Sequence, residues 1–319
     1  MVCQLFALLY AATFDIERTR DNCFSIKDRL VKKYSNNNSK NKKDMKQQTS
    51  TFENKAGLKI FTRTWLPDTN TKAVIVIVHG FNAHSGYYQW TAEQFARKNY
   101  AVYALDLQGR GQSEGERFYI QNMEDFVSDI DTLVDIAKKA HSGLPVFLLG
   151  HSAGGVLSCL YTLEHQEKIS GLICESFAYQ VPAPDFALAI LKGLSHLAPH
   201  FHAVKLKNED FSRDAALVEF MNNDPLIADE KQPTKTMEQL VLADERLKNE
   251  IPLITLPVLI LHGTKDNAAK YSGSQFFYDN AGSSDKTLKL YEGHYHDLLN
   301  DIDKEKVMAD IQEWLTKHS

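Results

Sequence analysis

Ser152 sits at the centre of Gly150-His151-Ser152-Ala153-Gly154, directly after the apolar run Val146-Phe147-Leu148-Leu149. A Gly-x-Ser-x-Gly set between a strand and a helix forces its serine into a strained bend with the hydroxyl exposed. Gly150 and Gly154 remove side chains that would clash with neighbouring backbone. Alone the five-residue pattern is weak, but the preceding strand and the small residues Ala153, Gly154 and Gly155 make it specific. The chemistry it implies is nucleophilic attack. A serine hydroxyl needs an adjacent base for that, and the base, normally a histidine, needs a carboxylate to fix its tautomer.

Both partners occur downstream. Asp266 closes the loop His262-Gly263-Thr264-Lys265-Asp266, which follows the apolar strand Pro257–Leu261. His296 lies in Glu292-Gly293-His294-Tyr295-His296-Asp297, after the strand Thr287–Leu290. His294 competes for the role of base; His296 is preferred because the apolar pair Leu298-Leu299 can seat its loop. Asp297 and Glu292 rival Asp266, but neither follows a strand of its own. His151 is expected to point inward and to serve structure. Two backbone amides must also stabilise a tetrahedral oxyanion. Ala153, next after the nucleophile, supplies one, and Phe81 in His79-Gly80-Phe81-Asn82-Ala83-His84-Ser85-Gly86 supplies the other.

These loops need a scaffold that carries them to one rim. The residues from about 51 onward alternate between strand and helix patterns. Strands are expected at Leu58–Trp65 (an edge strand), Ala73–Val78, Ala101–Leu105, Val146 to Ser152, Gly171–Cys174, Pro257–Leu261 and Thr287–Leu290. Helices are expected at Tyr88–Lys98, Met123–Ala140, Ala153 to about His165 and Lys304–Lys317. That alternation predicts an α/β fold with a mostly parallel central sheet and helices on both faces, its sites at the carboxyl ends of the strands. The core divides into residues 51–177 and 251–319. Residues 178–250 break the pattern and read as an inserted helical cap, with an almost wholly apolar helix around Phe186–Leu191, Leu194 and Leu197 that is buried, lines a cavity or touches lipid.

Residues 1–50 carry ten Lys and Arg against five Asp and Glu, in a chain of 319 residues with net charge −5. Their Asn/Lys-rich tract at 35–43 cannot bury enough apolar surface to fold alone, so the segment reads as a disordered or targeting extension. The apolar stretch Val2 to Phe14 is too short to span a bilayer and has no basic residue before it, so a signal peptide is disfavoured. An interfacial anchor, or a true start at Met45, are the other readings. A cytoplasmic or peripheral membrane location is expected.

Elsewhere the composition excludes more than it proposes. No basic stripe with interleaved aromatics points to nucleic acid. Cys3, Cys23, Cys159 and Cys174 form no disulfide framework or zinc spacing, and no histidine pair has ligand spacing, so no metal or cofactor is expected. The oligomeric state is open.

Four blocks carry a resemblance. They are His79-Gly80 with His84-Ser85-Gly86; Asp106 with Gly109-Arg110-Gly111-Gln112-Ser113-Glu114-Gly115; Gly150 to Gly155; and Lys286 to Gly293 with His296. Together these resemble the monoglyceride lipase and lysophospholipase branch of the serine aminopeptidase S33-like α/β-hydrolases, whose order of Ser, Asp and His along the chain this sequence shares. The resemblance implies an α/β-hydrolase fold and cofactor-free serine esterase chemistry on lipid esters with one acyl chain. It also implies Ser152, Asp266 and His296 as triad, Phe81 and Ala153 as oxyanion donors, and a cap that forms the acyl tunnel; the apolar character of that cap also allows peripheral membrane contact. Departures fall at Ala83, where the family often has Glu, at Tyr87, where it often has Arg, at Arg110 in place of His, and at Asn267-Ala268-Ala269. These bear on the alcohol preference, leaving a lysophospholipase or a general carboxylesterase as alternatives. A non-catalytic receptor on the same fold is disfavoured because all three triad residues are present.

Overall fold

The computed structural model describes residues 46–179 and 193–319. Eight strands form one sheet: β1 (Lys46–Glu53), β2 (Lys59–Leu66), β3 (Ala73–Val78), β4 (Tyr100–Leu105), β5 (Val146–His151), β6 (Gly171–Glu175), β9 (Val258–Gly263) and β10 (Lys286–Tyr291). Their spatial order is β1-β2-β4-β3-β5-β6-β9-β10. β1 and β2 pair antiparallel, as do β2 and β4, and every other neighbouring pair is parallel. This is the mostly parallel sheet expected of an α/β-hydrolase.

β3, β4, β5 and β9 are buried at every position, so their sequences run apolar without alternation. The two faces still separate by residue parity. Val74, Val76 and Val78 of β3 join one core cluster, with Phe126, Ile130 and Leu133 of α2 (Met123–Ala140) and Leu157 of α3 (Ala153–His165). Ile75 and Ile77 join the other, with Phe95 of α1 (Gln89–Ala96) and Ile311 and Leu315 of the C-terminal helix (Lys304–His318). Each such side chain contributes about 1.5–3 kcal/mol on leaving water. α2 shows why its bounds are readable. The Asn122 side chain caps it by accepting from the Asp125 amide, Glu124 and Asp125 occupy the first turn, and Lys138 and Lys139 the last, all favourable to the helix dipole.

Two expectations need correction. The strand at Leu58–Trp65 exists as β2, but it is not an edge: β1 pairs along its full length from Lys46↔Leu66 to Glu53↔Lys59. β1 reads KQQTSTFE, almost wholly exposed and polar. It gives no period-2 apolar signal and suits a sheet edge that must resist pairing with other chains. The regular fold therefore begins at Lys46, inside the tract read as an extension.

Between β6 and β9, adjacent in the sheet, the chain adds β7 (His202–Val204), α4 (Ala215–Asn223), β8 (Gln232–Pro233) and α5 (Thr234–Glu250). The expected helix at Phe186–Leu191 lies outside the described residues. Residues 193–197 are helical, with Leu197 87% exposed. Among the described residues no helix is long and apolar enough to cross a membrane.

Candidate active site

The ends of β3, β5 and β6 meet at Ser152, whose amide donates to the Glu175 carbonyl at 2.9 Å. β5 delivers it into a backbone with φ +56° and ψ −122°, the left-handed region a serine rarely adopts. Ser152 is the N-cap of α3, yet its side chain makes no capping hydrogen bond. A serine there normally bonds the second or third amide of its helix. Here the bend turns the hydroxyl away, leaving it free for chemistry at the positive end of a helix. The cost of the bend is carried by close packing: a Cβ on Gly80 would lie 2.7 Å from the Ser152 Cβ, so only glycine lets the loop after β3 come so near. That approach sets the Phe81 segment beside the nucleophile.

β9 and β10 deliver the other two residues. His296 Nδ1 lies 2.6 Å from Asp266 Oδ2. Both side chains are buried, and His296 Nε2 has no hydrogen-bond partner. Ser152 Oγ and His296 Nε2 are therefore not hydrogen-bonded to one another; a nucleophile and its base often close to bonding distance only when substrate binds. His294 Nδ1 has no hydrogen-bond partner; the ring packs on Tyr291, centroids 5.5 Å apart, while the His294 carbonyl accepts from the Lys265 amide at 3.0 Å. Asp297 does not approach His296 as a rival acid. It accepts from the Asn300 side chain at 3.1 Å and groups with His151 and Glu175.

The electrostatics favour a neutral imidazole beside an ionised carboxylate. Burial alone would raise Asp266, but the charge of His296 and hydrogen bonds from His262 and His296 outweigh it and hold the carboxyl well below the usual range. Burial lowers His296 below its ordinary value, and Asp266 restores only part of that. A neutral ring can accept a proton. His151, fully buried, is held up at about 9: burial is the largest influence and opposes its charge, but Glu175, Asp297 and Asp266 together outweigh it.

Three contributions were not read from the sequence. His262, at the end of β9, sets Nε2 2.9 Å from Asp266 Oδ2, so two imidazoles hold one carboxylate; Ser274 Oγ lies 2.7 Å from its Nδ1. A histidine four residues before the acid was the available signal. Glu175 ends β6 fully buried; Leu299 donates to its Oε1 at 3.0 Å. Arg110 is buried under the Phe81 ring, 4.2 Å from its centroid, and pairs with Glu230 and Gln232 from the inserted segment. Neither Glu175 nor Arg110 announces its partner, because each reaches across the sequence.

The profile of the serine aminopeptidase S33 family matches residues 69–303. The monoacylglycerol lipase of Mycolicibacterium smegmatis is 32% identical over 271 residues, covering 84% of this chain and 96% of that protein. Human monoglyceride lipase is 34% identical, covering 83% of this chain and 89% of that one. Among solved structures, the monoacylglycerol lipase of Paleococcus ferrophilus superposes with a TM-score of 0.73 at 29% identity, over 86% of this chain and all of that one.

Proposed function

The chain belongs to the serine aminopeptidase S33 family of α/β-hydrolases and is a carboxylic-ester hydrolase; we propose that its substrates are monoacylglycerols and related single-acyl lipids, cleaved by Ser152, His296 and Asp266. The observation that carries the reading is the pair of an unpartnered His296 Nε2 and an Nδ1 bound at 2.6 Å to Asp266, next to a serine whose hydroxyl does not cap its own helix.

The reaction follows from these groups. Ser152 Oγ attacks the ester carbonyl carbon as its proton passes to His296 Nε2, and Asp266 steadies the imidazolium. The carbonyl oxygen becomes an oxyanion held by the amides of Phe81 and Ala153. Collapse breaks the bond to the alcohol oxygen, which leaves with the proton from His296. Water then gives a proton to His296 and attacks the acyl carbon, and the fatty acid departs as Ser152 regains its hydrogen.

The inserted segment supports a lipid substrate. Leu197 is 87%, Phe201 60% and Phe220 45% exposed, with the exposed Lys205 and Lys207 nearby in sequence, a combination suited to peripheral contact with a lipid surface. Ala83 and Tyr87 stand where Glu and Arg are frequent in the family, and these changes bear on the alcohol preference. The test is a hydrolysis panel of monoacylglycerols, lysophospholipids and short esters across chain lengths, with Ser152→Ala as control. Monoacylglycerols with long chains are expected to be preferred. Preference for acetyl esters, or turnover retained in the alanine variant, contradicts the reading.

A further inference from the structure

Behind the site lies a buried group that the hydrolytic steps do not use. His151, Glu175 and Asp297 bring one ligand-capable atom each to within 4.8 Å of one another, and all three are buried. His151 Nδ1 stands 3.4 Å from Glu175 Oε2, and neither atom has a hydrogen-bond partner. An ionised glutamate without exposure to water is costly unless its charge is balanced and its oxygens are bonded. Its placement shows what it holds.

Glu175 and Ser176 reach the loops of all three proposed triad residues. The Glu175 carbonyl accepts from the Ser152 amide at 2.9 Å. Its Oε1 accepts from the Leu299 amide at 3.0 Å, three residues beyond His296. Ser176 Oγ donates to the carbonyl of His296 at 2.5 Å, and the Ser176 amide donates to the carbonyl of Leu261, at the end of the strand that leads to Asp266, at 2.8 Å. Ser176 takes φ +48° to make both bonds, a conformation that persists only where surroundings over-determine it.

We propose that Glu175 is a positioning residue for the reaction: its carboxylate, balanced by an imidazolium at His151, anchors the loop that carries His296 against the strand end that fixes the Ser152 amide. The proposal rests on the assignment of Ser152 and His296 above. The charges facing this cluster are consistent with one resident proton. Against the opposing effect of burial, Glu175 with Asp297 and Asp266 raises His151, and burial together with Glu175 raises Asp297 to about 6 although His151 opposes. A charged acceptor bonds the Leu299 amide more strongly than a neutral one would. His151 directly precedes Ser152, so the counter-charge sits on the nucleophile's own strand; its ring centroid is 4.9 Å from that of His296. A small misplacement of the base from a distant change can cost on the order of a hundredfold in rate.

The experiment compares wild type, Glu175→Ala, Glu175→Gln and Ser176→Ala on a p-nitrophenyl ester. Active sites are counted by fluorophosphonate titration, so that kcat refers to folded, competent protein. Glu175→Ala is expected to lower kcat more than tenfold with KM changed less than threefold. Glu175→Gln, which keeps an oxygen for the Leu299 amide, is expected to recover at least half of that loss on a logarithmic scale. A smaller fall in the alanine variant, a loss expressed in KM, or a glutamine variant as damaged as alanine overturns the proposal. If Glu175→Ala does not fold, Ser176→Ala decides, with a kcat loss above fivefold expected and a smaller one contradictory. Stoichiometric divalent metal that Glu175→Gln releases also overturns it, since a cation would then balance the cluster in place of the proton. Wild type labelled at Ser152 with an unaffected Glu175→Ala sinks this proposal alone. Wild type unlabelled at Ser152 sinks the assignment beneath it, and the proposal with it.

Discussion

Phe211, from the segment inserted between β6 and β9, sets its ring edge against the His296 imidazole, centroids 4.9 Å apart and planes at 84°. Its carbonyl accepts from the Asp297 amide at 2.8 Å. Two residues on, the Arg213 amide and Nε donate to Asp301 at 2.7 Å each, and Ser212 Oγ bonds the same carboxylate at 2.9 Å. The insertion is thus fastened to the loop of the base as well as spanning the strand ends. Phe211→Leu, which keeps an apolar side chain, should cost about 1–1.5 kcal/mol of stability, while Phe211→Ala should cost about 3–5 kcal/mol. Chemical denaturation measures both. Equal losses would mean that the ring does not pack as described.

His296 and His294 are separable by kinetics. Replacing His296 with Ala removes the only imidazole in contact with Asp266 from this loop and should lower kcat by on the order of a thousandfold or more. His294→Ala should lower it less than tenfold, because that ring packs on Tyr291. Steady-state rates on a p-nitrophenyl ester decide, and the reverse ranking exchanges the two roles.

Asp266 is held by two histidines. Asp266→Asn should cost on the order of ten-thousandfold in kcat by leaving His296 in the wrong tautomer. His262→Gln should cost far less, about tenfold, since it removes one of two hydrogen bonds to the carboxylate while His296 keeps its own. A His262 variant as slow as the Asp266 variant would place His262 in the chemistry itself.

The pH profile carries a sign. His296 acts as base only when neutral, so kcat/KM should be flat at high pH and fall tenfold per unit as pH drops through the pKa of the free enzyme. Burial lowers that pKa, with Asp266 opposing, so the midpoint should lie below the ordinary 6.5. A midpoint above 6.5 would mean that the Asp266 charge outweighs burial.

Much of this arrangement was legible in the sequence, for identifiable reasons. β3, β5 and β9 are buried on both faces, so their apolar runs are unmistakable, and α2 carries caps and charges at both ends. Ser152 and Asp266 follow two of these strands, and His296 follows the half-buried β10, whose Leu288 and Leu290 alternate with lysines, so all three loops could be found. β1 was not readable because its exposed residues carry no apolar period and it forms only by pairing with β2. Glu175, Arg110 and His262 gain meaning from partners 124, 120 and 4 positions away, at Leu299, Glu230 and Asp266. No local pattern encodes the first two. Asp297, read as a rival acid, instead accepts from the Asn300 side chain and stands with His151 and Glu175, residues that precede it by more than a hundred positions.

Fluorophosphonate labelling followed by peptide mapping tests the central claim most directly. The account predicts one adduct per chain, on the Ser152 oxygen, formed rapidly in wild type and at least a hundredfold more slowly in His296→Ala. An adduct on another residue, or undiminished labelling of Ser152 without His296, would contradict it.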